Sequence, residues 1–113
     1  MVKQRKYSTT FSDGGTDSYT SPTVATEKDT EKMTVFCSII PDGSAEIEAE
    51  CFAGNDDGTN PISIGTITLS ETSSGGNFTI NASFGYYIIE ATVNSIGTGE
   101  DCEFIINSRE VYS

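Results

Sequence analysis

Between Ser44 and Ala53 the chain alternates without a break: Ala45, Ile47, Ala49, Cys51 and Ala53 fall on one phase, Glu46, Glu48 and Glu50 on the other. Successive side chains of an extended strand point to opposite sides, so this period of two describes a strand with one buried and one wet face. A helix turns roughly 100° per residue and would scatter the three carboxylates around its whole surface. The same period recurs at Met33, Val35, Cys37 and Ile39, at Tyr87, Ile89, Ala91 and Val93, and at Cys102, Phe104 and Ile106. A further strand is expected over Ile62 to Ser70 and a short one over Phe78 to Ala82. Turn chemistry separates these runs: Pro41-Asp42-Gly43, the stretch 54–61, Ser73 to Asn77, and Ser95 to Gly99. Short strands with Gly, Asn, Asp and Ser punctuation predict an all-β fold, an antiparallel β-sandwich of jelly-roll or Ig-like type, over residues 33–113. The Pro41–Ser44 turn is read as a hairpin that would set Cys37 opposite Ile47 in one sheet.

Residues 1–32 are rich in Ser, Thr, Asp and Gly, with apolar groups only at scattered points such as Tyr7, Phe11, Tyr19 and Val24. Such a composition drives no core of its own, and the segment is expected as an extended N-terminal arm with possible edge strands. Ser8 to Ser12 and Ser18 to Val24 could each pair, separated by the turn at Asp13-Gly14-Gly15. Lys3, Arg5, Lys6, Tyr7, Phe11 and Tyr19 are the expected partner-binding residues of that arm. Removal of residues 1–24 should then leave the domain folded.

Charge narrows the function classes. From Met33 to Ser108 there are 76 residues with no Lys or Arg and eleven carboxylates, and the whole chain carries a net −11. Nucleic acid is repelled by such a body and is not an expected partner. The chain contains no histidine, which removes Ser-His-Asp and Cys-His catalysis within one chain, and no catalytic residues are assigned. Cys37, Cys51 and Cys102 have no C-x-x-C spacing, so zinc is not expected, nor is any cofactor. All three lie on apolar phases, as buried thiols or with one disulfide. Glu46, Glu48 and Glu50 read as a solvated strand face, with a basic neighbour or a metal as lesser readings. Asn55, Asp56, Asp57 and Asn60 read as a plain loop whose spacing departs from an EF-hand, and calcium there stays open. No run approaches the roughly 20 apolar residues of a membrane span, and no apolar stretch of a secretory signal follows the basic start.

The run from Ala45 to Ser70, with Gly54-Asn55-Asp56-Asp57-Gly58-Thr59-Asn60-Pro61 leading into Ile62-Ser63-Ile64-Gly65-Thr66-Ile67-Thr68-Leu69-Ser70, resembles the β-sandwich module of small virion proteins of tailed phages. The likeness continues through Tyr86 to Ile96 and the Gly97-Thr98-Gly99 turn. The chain departs from the pattern in having Pro61 and no Trp where the family often carries Trp, and in lacking cations in its late strands. The resemblance implies a non-enzymatic structural protein that decorates and stabilises the capsid exterior, with the major capsid protein or other virion proteins as partners. It is expected as a homo-oligomer, a trimer by preference, within the virion and assembled in the host cytoplasm. Head-tail, fibre or tail-tip membership is the neighbouring alternative. A carbohydrate-binding or adhesin module, stacking sugars on Tyr86 and Tyr87, is the alternative from another class, and a carboxylate hydrolase using Asp56 and Asp57 is the remote one.

Overall fold

The computed structural model describes residues 1–26, 30–55, 60–81 and 84–112. Nine strands are formed: β1 (Val2–Ser12), β2 (Ser18–Thr20), β3 (Val24–Ala25), β4 (Thr30–Pro41), β5 (Ala45–Gly54), β6 (Ile62–Ser70), β7 (Gly75–Asn81), β8 (Tyr86–Ile96) and β9 (Asp101–Tyr112). Four make one antiparallel sheet in the order β1-β9-β4-β7; the others make a second in the order β2-β8-β5-β6, with β3 continuing the β2 edge along β8. Successive strands mostly change sheet, which is the double Greek-key winding of a jelly roll. The fold class is therefore an all-β sandwich, and the strand order selects jelly-roll over Ig-like.

The core is the sum of the alternating phases. Met33, Val35, Cys37 and Ile39 of β4 and Cys102, Phe104 and Ile106 of β9 face Ile47, Ala49 and Cys51 of β5 and Tyr87, Ile89 and Ala91 of β8, all essentially closed to solvent. Each large apolar side chain buried this way contributes roughly 1.5–3 kcal/mol. Edge strands complete the fill with Phe11, Val24, Leu69, Phe78 and Ile80. The ring of Phe104 ties the edges together, lying 6.3 Å from Phe11 and 6.5 Å from Tyr19 between centroids.

One expectation changes. The turn at Pro41–Ser44 does not close a hairpin within one sheet: β4 pairs with β7 and β9, whereas β5 pairs with β6 and β8. The connection crosses the end of the sandwich because it is clamped on the β8–β9 turn. Asp42 N donates to Asp101 O at 2.8 Å, Gly97 N donates to Ser44 O at 3.1 Å, and the Glu100 carboxylate fills the space that a Cβ on Gly43 or Gly97 would occupy. Of residues 1–26, β1, β2 and β3 are laid down as edge strands on the chain's own two sheets, whereas Thr30–Lys32 begin β4. β1 matches β9 in eleven consecutive register pairs, from Val2↔Val111 to Ser12↔Asp101. Few apolar groups are needed for this, because β9 supplies the hydrogen-bond ladder and Phe11 supplies the anchor. Loss of residues 1–24 would strip Phe11, Val24 and a sheet edge, so that deletion should unfold the domain.

All three cysteines are buried free thiols. Burial pushes Cys37 and Cys51 up to about 12 from an ordinary 9.0, and the Tyr87 phenol to about 12 from 10.0. These groups are neutral in the folded chain where they would already ionise in the unfolded one. Stability is thus complete below about pH 9 and falls as pH rises through the folded values, by about 1.4 kcal/mol per pH unit for each group. Urea midpoints should be level from pH 7 to 8.5 and drop steeply by pH 10.5; Cys37→Ala should flatten that drop. Gly54 supplies a second test, since a Cβ there would stand 2.6 Å from the ring of Tyr86, its register partner. Gly54→Ala should cost about 1–3 kcal/mol in thermal or urea unfolding, and an unchanged midpoint would refute the contact's rigidity.

Candidate binding surfaces

Along β1 the odd residues face the other sheet and the even ones face solvent. Of the six residues expected to bind a partner, Phe11 is buried, Tyr7 and Tyr19 pack on the core, and Lys3 and Arg5 are half-buried. Lys3 sits in register with Glu110, whose carboxylate accepts from the Thr30 hydroxyl. Arg5 Nη1 donates to Ala25 O at 2.7 Å, a link from β1 to β3 across the two sheets. Lys6 alone of the six is exposed, on the outer face. Tyr86 and Tyr87 are 4% and 0% exposed, so neither ring can stack on a sugar. The reason lies in their neighbours: Tyr87 is on the core phase of β8, and Tyr86 lies over the bare backbone of Gly54.

Antiparallel pairing brings distant polar residues together on the outside of the four-stranded sheet. One row reads Lys6, Asn107, Phe36 and the next Gln4, Arg109, Thr34. Gln4, Lys6, Phe36, Asn107 and Arg109 are exposed and surround the Arg5–Ser108 rung, enclosing a shallow depression of about 450 Å³. Phe36 is 45% exposed on the polar phase of β4. Lys32 stands one row beyond Arg109, opposite Val111. All the described cations therefore lie on β1, β9 and β4, while Lys28 and its neighbours at 27–29 lie outside the described residues.

The opposite sheet is the acidic one. Glu46, Glu48 and Glu50 line its outer face as the alternation required, with Glu90 the register partner of Glu50. Asn94 Nδ2 donates to Glu46 Oε2 at 3.1 Å and the Ser63 hydroxyl to Glu50 Oε2 at 2.7 Å. Among the described residues no group of three or more His, Cys, Asp or Glu is placed to hold a metal ion. Asp56 and Asp57, and with them the hydrolase pair and the acidic part of the 54–61 loop, lie outside the described residues.

A second surface is the flank where β6 and β7, each the last strand of its sheet, lie side by side. Glycines let them close: a Cβ on Gly76 would stand 2.8 Å from Ile67 Cδ1, and one on Gly65 3.4 Å from the Phe78 ring. Neither Ile62–Ser70 nor Gly75–Asn81 contains a charged residue or a proline. Ile62 is 56% exposed. A bulge shifts the register at Cys51/Phe52 so that Ile64 has no partner, leaving Gly65 to Ser70 regular. The opposite flank differs, since β1 carries Lys3, Arg5 and Lys6 and the β2–β3 edge is broken at Pro22.

No protein-family model matches the sequence, and no curated protein is significantly similar to it. Among solved structures, the Yersinia pseudotuberculosis-derived mitogen aligns with TM-score 0.57 at 12% identity, over 95% of this chain and 86% of that one. PliG of Aeromonas hydrophila, a periplasmic inhibitor of g-type lysozyme, aligns with TM-score 0.51 at 22% identity, over 96% and 86%. VP2 of the infectious bursal disease virus subviral particle aligns with TM-score 0.53 at 11% identity, over 99% of this chain and 33% of that one. At these identities the likeness is one of fold: a β-sandwich shared by proteins of different roles.

Proposed function

We propose that this chain is a non-enzymatic structural protein of a phage virion, seated on the capsid exterior and docked to the major capsid protein or another virion protein through the β6–β7 flank. The observation that carries the reading is that flank: a doubled, uncharged strand edge, the last of each sheet among the described residues, on a protein of net charge −11. Exposed edges invite strand addition, and free proteins blunt them with lysines, prolines or charges. Here the bulge at Ile64 is the sole such device on β6, and the regular stretch beyond it is open to a partner strand. Contact at this flank desolvates no carboxylate, and main-chain hydrogen bonds supply the attachment. Strand addition is thus retained as the mechanism but moves from the leader, which is occupied on β9, to the other side of the molecule.

The resemblance of residues 45–70 and 86–96 to small virion proteins supports the same reading, and the jelly-roll order is compatible with it. Three copies about a local symmetry axis would stand with their flanks on the shell and their glutamate-lined faces in solvent, with assembly in the host cytoplasm. A head-tail, fibre or tail-tip position would use the same flank and differ in where copies are found.

Thr68→Asp combined with Thr79→Asp places a charge on the regular stretch of β6 and on β7 at solvent-exposed side chains, without touching the core. Copies on purified particles should fall at least tenfold, with the urea midpoint within about 1 kcal/mol of the parent. Glu48→Gln on the far sheet should leave occupancy unchanged. Full occupancy by a folded double variant would refute flank docking.

A further inference from the structure

The geometry points to a saccharide site of acidic specificity in the depression over the Arg5–Ser108 rung: one carboxylated sugar ring against Phe36, its carboxylate on Arg109 and Lys6, its hydroxyls on Gln4 and Asn107. This goes beyond attachment to a particle and is independent of it, because no lining residue belongs to β6 or β7.

Four features converge. The depression's volume of about 450 Å³ lies within the usual range for small-ligand sites, and one or two sugar rings fit it. Lys6 and Phe36 flank Asn107 from the neighbouring strands, which sets their backbones about 10 Å apart, enough for a pyranose between them. The exposed ring of Phe36 gives the apolar face of a sugar a flat partner, which a bare anion would not need. Each amide offers two donors and an acceptor, a match for paired hydroxyls, while the Arg109 fork matches a carboxylate.

Charge selects the ligand further. The chain carries 17 carboxylates against six cations, and among the described residues the exposed cations Lys6, Lys32 and Arg109 gather on one face, where an anion is held. Phosphate or sulfate alone would use Lys6 and Arg109 and leave Phe36, Gln4 and Asn107 idle. A polyanion as long as nucleic acid would meet Glu103 and Asp101 further along the same face of β9. Lys32, one row out, offers a second anion contact for a chain of acidic sugars. Strands fix the backbone under all of these side chains, so binding orders rotamers and no main chain.

The test uses the full chain on a glycan array pairing uronic-acid and sialic-acid oligosaccharides with neutral counterparts, followed by titration calorimetry of the best ligand. Acidic members should be retained at least tenfold better than neutral ones. Phe36→Ala and Arg109→Gln should each weaken the best ligand tenfold or more at unchanged unfolding midpoint, while Glu48→Gln should have no effect. Silence across the array overturns the proposal. So does an acidic signal that inorganic phosphate abolishes in parent and Phe36→Ala alike, which would mark a plain anion patch. Loss of array binding with normal particle occupancy would sink this site and spare flank docking; the reverse pattern would do the opposite.

Discussion

The pairing of β1 with β9 is the contact on which the rest of the molecule depends. Eleven register pairs commit the polar leader to a sheet edge and deliver Phe11 to Phe104. The same pairing draws Arg5 within reach of β3 and so pins one sheet on the other. Without it β9 would become a bare edge, and its inward Phe104 and Ile106 would lose cover on one side. The outer-face depression is a by-product of this register, since a slip of one residue would turn Lys6 and Gln4 inward.

Such a contact is hard to see in the amino-acid order. Strands that bring their own apolar phase were legible: Ile62 to Ser70 is bounded as read, and Ser44 to Ala53 falls within one residue of β5 at either end. The inward positions of the three cysteines followed from the same phase. β1 has no such phase, because Lys3 and Arg5 occupy inward positions where polar partners receive them, and only Phe11 signals the core. Its strand state is dictated by β9, more than ninety residues away, and local composition carries no trace of that. Sheet assignment was equally hidden. Pro41-Asp42-Gly43-Ser44 has the chemistry of a tight turn whether it returns within a sheet or crosses between two, and the clamp by Glu100 that decides it comes from another turn.

The depression was illegible for a related reason. Arg109 and Lys6 stand at opposite ends of the chain, and the sequence reads as two-ended charge until antiparallel pairing sets them in adjacent rows. One local signal was present: Phe36 breaks the polar phase of β4, between Thr34 and Ser38, at a position where a solvent-facing strand face has no use for a ring. Tyr86 and Tyr87 drew attention as the more conspicuous aromatics, yet burial disposes of both.

The division of labour around the sandwich follows from how charge is distributed on it. Among the described residues, cations lie on β1, β9 and β4, glutamates line the outer face of β5 and β8, and β6 with β7 have neither. Each kind of surface is constrained differently. An uncharged edge is tolerable only if something covers it, an acidic face repels its like and favours solvent, and a basic rim in an acidic body attracts anions over a few ångströms to a Debye length of about 8–10 Å. Because the three surfaces lie on separate strands of one rigid fold, occupation of the flank leaves the basic rim exposed. A second copy approaching face to face meets carboxylates on the β5–β8 side, which disfavours stacking through that sheet and directs contact toward the flank. The proposed attachment and the proposed ligand capture therefore use different strands, and both require that β1 stays locked in register on β9.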